Sequence, residues 1–117
     1  ARLALRTTLD TVEQTTARTC PDTTLCHGLA GLNEILWTAG MALDDETYRA
    51  AARDTALRMI ERHGKAGNWP TGVGGPNPSL MLGTAGIGYH LLRLDAADVV
   101  PPVLIQCPPL SADSSRR

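Results

Sequence analysis

Hydrophobic residues recur along most of this chain with the spacing of α-helices. Near the N-terminus, Leu5, Leu9 and Val12 stand four and three residues apart, which indicates one apolar face of a helix from residue 2 to about residue 18. The residues CPDTT, at positions 20–24, then interrupt the pattern.

A second helix follows, and it is apolar on nearly all sides, so we expect it to be buried. Thr24 is predicted to cap its N-terminus through the side-chain oxygen, and Gly40 to stop it after about Ala39. Its apolar positions are Leu29, Leu32, Ile35 and Leu36.

A third helix, capped by Asp44 or Asp45 and ending near His63 and Gly64, separates apolar from charged positions. Its apolar stripe consists of Tyr48, Ala52, Thr55, Ala56, Met59 and Ile60. Its opposite stripe consists of Arg49, Arg53, Asp54, Arg58 and Glu61. This pattern is typical of an amphipathic helix at the surface of a protein.

The following stretch, GKAGNWPTGVGGPNPS, is too rich in glycine and proline for regular structure and is predicted to be a loop. Ser79 is predicted to open a fourth helix through LMLGTAGIGYHLLRL, and Pro101 and Pro102 to end anything helical after it. We expect residues 1–106 to belong to one folded unit and residues 107–117 to form a disordered tail.

An internal repeat relates the second helix to the fourth. Placing Leu25 on Leu80, an offset of 55 residues, brings Gly28, Ala30 and Gly31 onto Gly83, Ala85 and Gly86, and Leu36 onto Leu91. The repeat unit is one buried helix beginning L-x-x-G-x-A-G, followed by one amphipathic helix, as in helical solenoids and α/α barrels. Glycine destabilises a helix by roughly 1 kcal/mol relative to alanine, so we expect the repeated glycines to permit a close approach of backbones.

Composition narrows the class of protein. The chain of 117 residues is 43% hydrophobic but has no phenylalanine, which suits an all-α protein whose core is built from Leu, Ala, Ile, Val and Met. A net charge of −1 with interspersed signs gives no basic surface for nucleic acid or an anionic membrane. No apolar run approaches the roughly 20 residues of a membrane span, and no signal peptide is evident, so we expect a soluble, cytoplasmic protein.

The dipeptide Cys26–His27 carries the chemistry. The repeat places Met81 and Leu82 at the corresponding positions, so the scaffold itself requires neither a thiol nor an imidazole there. Thiolate and imidazole are the ligands that zinc prefers, and the start of a helix favours the thiolate. Two donors alone do not make a zinc site, so a buried cysteine beside a hydrogen-bonded histidine, or a Cys–His nucleophile pair, are alternatives that spacing leaves open.

Three segments resemble one family of enzymes. LCHGLAGLNEIL at 25–36, PSLMLGTAGIGYHLLRL at 78–94 and VPPVLI at 100–105 resemble the closing part of a LanC-like lanthionine cyclase domain, most of all that of class II (LanM-type) lanthipeptide synthetases. The resemblance implies the C-terminal part of an α/α toroid. It also implies a catalytic zinc held by two cysteines and one histidine, of which Cys26 and His27 would be two.

The same resemblance places the third zinc ligand and the acid/base groups upstream of this chain, and no residue here matches a catalytic acid or base. Cys20 is the one nearby substitute for the missing ligand. The implied reaction adds cysteine thiols of a lanthipeptide precursor to dehydroalanine or dehydrobutyrine, forming (methyl)lanthionine rings. We therefore expect the chain to be inactive without an upstream part of the synthetase or a second chain.

Two other interpretations of the whole chain remain open. One is a non-catalytic helical repeat module that binds metal or a partner chain through Cys26 and His27. The other is a plain helical repeat without a site, which the restriction of Cys and His to one repeat copy disfavours.

Four further side chains attract attention. Trp37 is expected to pack in the core, and Trp69 either to contact substrate or to anchor its loop. His90 is expected to be a hydrogen-bonded core or interface residue, and His63 to suit a helix C-terminus without further function.

Overall fold

The computed structural model describes residues 2–72 and 74–105, and these residues form helices and loops without a strand. The α-helices are α1 (Arg2–Thr16), α2 (Leu29–Ala42), α3 (Glu46–Met59) and α4 (Thr84–Asp95), and a π-helical turn (Ile60–Gly64) extends α3. The prediction of an all-α fold is confirmed. The predicted disordered tail at 107–117 lies outside the described residues.

Helix α2 is the centre of the fold, since it packs against α1, α3 and α4. The core cluster includes Val12 of α1, Leu36 of α2, Ala52 of α3 and Ile87 of α4. Within α1, Leu5 and Leu9 pack against this cluster beside Val12, as their spacing predicted. The burial of α2 on several sides therefore follows from its nearly continuous apolar surface.

Helix α1 ends at Thr16, slightly before the predicted end near residue 18. Nη1 of Arg62 donates hydrogen bonds to the carbonyl oxygens of Thr16, at 3.0 Å, and Arg18, at 2.9 Å. Carbonyl groups at a helix C-terminus lack intrahelical partners, so this arginine ties the end of α1 to the π-helical turn.

Both predicted ends of α2 are wrong, each for a local reason. Thr24 does not cap the helix, because a turn over residues 25–27 intervenes and Gly28 in extended conformation is the N-cap. Gly40 does not stop it, because a Cβ there would lie 2.7 Å from Cγ of Arg49, whose Nη1 also donates to the Gly40 carbonyl at 3.0 Å. Gly40 therefore provides room for α3 to pack closely, and the helix continues to Ala42.

Helix α3 follows the prediction until its last turn. Asp45 caps it by accepting a hydrogen bond from the backbone N–H of Thr47 at 3.0 Å. The predicted apolar stripe is buried except for Ile60, whose side chain is 43% exposed. Ile60 begins the π-helical turn, and the extra residue in that turn rotates the following side chains away from the positions that an α-helix would give them.

The internal repeat is present in the backbone. Helices α2 and α4 begin at Leu29 and Thr84, and both are preceded by a turn and by a glycine N-cap in extended conformation. The backbone N–H of Leu29 donates to the carbonyl of Asp22 at 2.9 Å, and that of Thr84 to the carbonyl of Asn77 at 2.8 Å. The repeat therefore extends back to Asp22 and Asn77, which stand at corresponding positions before α2 and α4.

Ser79 does not begin α4 directly. Its Oγ accepts a hydrogen bond from the backbone N–H of Leu82 at 3.1 Å, which stabilises the turn before Gly83. Both predicted starts were therefore early for the same reason, because a hydrogen-bonded turn separates the polar residue from the helix.

The glycines at the third position of α2 and α4 are required by a close approach of backbones, as predicted. A Cβ on Gly31 would overlap the carbonyl oxygen of Leu25, and a Cβ on Gly86 that of Leu80. Each helix therefore folds against its own preceding turn. Gly86 additionally approaches the other repeat, since its Cβ would lie 3.0 Å from Cβ of Leu25.

Candidate functional site

The donor turn, residues 25–28, places Cys26 and His27 side by side at the surface. Both side chains are exposed, and Sγ of Cys26 lies 3.4 Å from Nε2 of His27. The backbone N–H of Cys26 donates to the carbonyl of Met81 at 2.9 Å, which joins this turn to the matching turn of the other repeat. Leu25 is buried while the next two residues face solvent.

The spacing of these two donor atoms fits one zinc ion. Zinc binds thiolate sulfur at about 2.3 Å and imidazole nitrogen at about 2.0–2.1 Å, so a tetrahedral angle sets the two atoms about 3.6 Å apart. The 3.4 Å found here is close to that value. Within the part of the chain that the structure describes, however, no three His, Cys, Asp or Glu side chains gather in a group that could hold a metal.

Cys20, the substitute suggested by the sequence, does not complete the pair. Its exposed side chain lines a cavity of about 300 Å³ beside the glycine-rich loop, together with Trp69 and Asn77. The donor turn therefore contributes two donors, and the described residues offer no third one to it.

A second polar cluster lies inside the fold, between α2 and α4. Oε2 of Glu34 lies 3.0 Å from Nδ1 of His90, and Oε1 of Glu34 accepts a hydrogen bond from Nε of Arg93. Nδ2 of Asn33 lies 2.9 Å from Nε2 of His90 and donates to the carbonyl of Ala52, also at 2.9 Å. These four side chains, which we call the buried cluster, are almost inaccessible to solvent.

The hydrogen bonds of the buried cluster assign its protons. Because the Asn33 amide nitrogen can only donate, Nε2 of His90 accepts, and the proton on Nδ1 is donated to Glu34. Burial alone would raise the pKa of Glu34, but hydrogen bonds from His90 and Arg93 outweigh it and hold that pKa below its ordinary value of 4.5. Glu34 is therefore ionised, and it pairs with the guanidinium of Arg93.

A family model described as lanthionine synthetase C-like protein matches residues 5–105. The chain belongs to the LanC-like family. Searches of curated proteins and of solved structures gave no match.

In this LanC-like domain the expected structural role of His90 is confirmed, since both of its ring nitrogens have hydrogen-bond partners. Sequence reasoning missed its partners Glu34 and Arg93. A signal was available, because Glu34 is the one charged residue of α2, a helix expected to be buried. A buried carboxylate needs a partner, and His90 and Arg93 stand one helical turn apart on α4.

Both tryptophans of the LanC-like domain pack against the core. Trp37 is buried, as predicted, and the guanidinium of Arg53 lies 5.2 Å from its ring centroid. Trp69 packs partly buried against the core, with its ring centroid 5.7 Å from that of His63, so it anchors the glycine-rich loop. Burial and the nearby charge of Arg62 lower the pKa of His63, against a hydrogen bond with the backbone of Asn68.

The described residues of the LanC-like domain contain no helix with the length and apolar character needed to cross a bilayer.

Proposed function

We propose that this LanC-like domain supplies Cys26 and His27 as two of the three protein ligands to the zinc ion of a lanthionine cyclase. The observation that carries the proposal is the 3.4 Å separation of Sγ and Nε2 on an exposed turn, within a chain that matches the family. The corresponding residues of the second repeat, Met81 and Leu82, have no such donors. The pair is therefore an addition to the scaffold.

The proposed reaction adds a cysteine thiol of a lanthipeptide precursor to a dehydroalanine or dehydrobutyrine of the same peptide. A bond forms between sulfur and the β-carbon of the alkene, and the α-carbon takes up a proton, which gives lanthionine or methyllanthionine. When bound, zinc makes a coordinated thiol deprotonate at neutral pH. Cys26 and His27 would hold the ion at the protein surface, where a peptide can reach it.

The described residues place no third donor beside Cys26 and His27. The third ligand and the groups that move protons would come from an upstream part of the synthetase or from a second chain. The domain alone is then inactive in cyclisation, although its donor turn is already arranged for metal. Its location in the cytoplasm, where thiols stay reduced, belongs to the same proposal.

Cobalt(II) spectroscopy tests the proposal, because thiolate ligation of cobalt gives a near-ultraviolet charge-transfer band. We expect the band in the wild-type chain and in Cys20→Ser, and its loss in Cys26→Ser. Persistence of the band in Cys26→Ser would place the metal elsewhere and contradict the proposal.

The same cobalt-loaded protein separates a cyclase site from a non-catalytic metal-binding module. A cyclase site keeps an open coordination position for the substrate thiol. Adding a dehydrated peptide that contains cysteine should therefore increase the charge-transfer intensity, whereas the same peptide with serine should not. Equal spectra with the two peptides would favour the module.

A further inference from the structure

The chain segment after α4 turns back and is fixed to that helix. The hydroxyl of Tyr89 donates to the carbonyl of Pro101 at 2.8 Å, and Nη1 of Arg93 donates to the carbonyl of Val100 at 2.7 Å. Arg93 of α4 also donates a hydrogen bond to Glu34 of α2, so one side chain connects this segment with both α2 and α4. We call residues 100–105 the tail segment.

The tail segment packs against the core near the start of α2. Val103 and Leu104 are partly buried against the core cluster. Cδ1 of Leu104 lies 3.7 Å from the position that a Cβ would take on Gly31, and that same position faces the carbonyl of Leu25. Leu104 therefore lies next to the backbone contact that holds Leu25, the residue directly before Cys26.

The donor residues have no side-chain anchor of their own in the described part of the chain. The side chains of Cys26 and His27 are exposed and hydrogen-bond only to each other among the described residues. Leu25, in contrast, is 2% exposed, whereas its repeat counterpart Leu80 is 40% exposed. Leu25 is thus the buried anchor of the donor turn. Leu104 of the tail segment lies near its backbone across Gly31, and Met81 of the second repeat is bonded to the next residue, Cys26.

We infer that the tail segment is a positioning element for the metal-donor turn, with Tyr89 and Leu104 as positioning residues. The inference rests on the proposed function of Cys26 and His27. Ligand geometry at metal sites is maintained by surrounding groups, whose loss typically weakens metal affinity by about 10–100-fold. The tail segment acts in this way through Leu25 and Gly31, without touching the metal.

The test uses full-length chains carrying Leu104→Ala or Tyr89→Phe. Val99→Ala is the matched control, because Val99 belongs to the same connection but its side chain is 72% exposed. Each protein is treated with iodoacetamide without metal, and the alkylation rates of Cys26 and Cys20 are measured in the same sample by peptide mass spectrometry. Cobalt affinity is then measured separately.

We expect the ratio of Cys26 to Cys20 alkylation to change at least about threefold in both variants and to stay at the wild-type value in Val99→Ala. Cobalt affinity should fall by about 10–100-fold in the two variants, and Leu104→Ile should restore both measurements. If the two cysteines changed in parallel, the tail would serve general stability only, and the inference would be overturned. Tyr89→Phe keeps the test decisive should Leu104→Ala fail to fold.

Failure of the proposed function has a different signature. If wild-type protein bound no cobalt while the alkylation ratio still responded to Leu104→Ala, the tail segment would position the turn but the turn would not be a metal site. If wild-type protein bound cobalt and neither variant changed the affinity or the ratio, the metal site would stand and the positioning role would be wrong.

Discussion

Glu34 and His90 stand 56 residues apart in the sequence, and Oε2 of the first lies 3.0 Å from Nδ1 of the second in the interior of the fold. Together with Arg93, they connect the inner helices of the two repeats. The equivalent positions in the opposite repeat, Tyr89 for Glu34 and Ile35 for His90, cannot form the same pair. The repeats are thus joined by an asymmetric polar contact as well as by apolar packing.

Glu34→Gln should destabilise the domain strongly. The change removes the negative partner of a buried guanidinium, and breaking a buried ion pair from one side typically costs about 3–5 kcal/mol. Asp54→Asn is the matched control. Asp54 forms an ion pair with Arg58 at the surface, so its replacement should change the stability only slightly. Chemical denaturation followed by circular dichroism measures both. Equal effects would show that the buried cluster contributes no more than a surface pair.

The carboxylate of Glu34 should make the stability of the domain sensitive to acid. Folding lowers the pKa of Glu34, so the unfolded chain binds a proton more readily than the folded chain does. The contribution of Glu34 to the free energy of unfolding is therefore complete above about pH 4.5, the ordinary pKa. It is lost as the pH falls through the pKa of the folded state. Glu34→Gln should lack this component. Unfolding free energies measured from pH 6 downwards would show a shallower decline for the variant, and an unchanged slope would contradict the assignment.

His63 should give the stability of the domain a separate pH dependence, at higher pH than that of Glu34. Its pKa is lowered from the ordinary value of 6.5, first by burial and then by the charge of Arg62. The unfolded chain therefore takes up this proton first, and stability falls as the pH drops from about 6.5 towards the folded-state value. Melting temperatures of His63→Gln should vary less over this interval than those of the wild type.

Two glycines of α4 should respond oppositely to alanine. A Cβ on Gly86 would overlap the Leu80 carbonyl, so Gly86→Ala must displace the backbone and destabilise the fold. A Cβ on Gly88 meets nothing within 4 Å, so Gly88→Ala should stabilise the helix by roughly 0.5–1 kcal/mol. Thermal unfolding of the two variants tests this. A stabilising Gly86→Ala would contradict the close approach that the repeat requires.

Periodicity was sufficient to predict the helices, their amphipathic faces and the repeat, because those features depend on local sequence. It could not place the helix starts, since the turns before Gly28 and Gly83 are stabilised by hydrogen bonds that the carbonyls of Asp22 and Asn77 accept, and periodicity does not register these bonds. Gly40 was misinterpreted because the need for space came from Arg49 on another helix.

The candidate site was predictable in part for the same reasons. The Cys26–His27 pair is local and stood out against the second repeat, whereas the buried cluster unites residues distant in the chain. Glu34 was the available clue, but its partners become evident only when α2 and α4 are packed together. The approach of Leu104 to Gly31 brings the tail segment close to α2 and left no mark in the sequence pattern.

The most direct test of the central claim is zinc affinity, measured by chelator competition and checked by metal mass spectrometry, for the wild-type chain, Cys26→Ala, His27→Ala and Cys20→Ala. The account predicts that Cys26→Ala and His27→Ala each weaken zinc binding more than the roughly 10–100-fold typical of groups outside the ligand set. Cys20→Ala should bind as the wild type does. Wild-type affinity in Cys26→Ala would contradict the claim that the donor turn holds the metal.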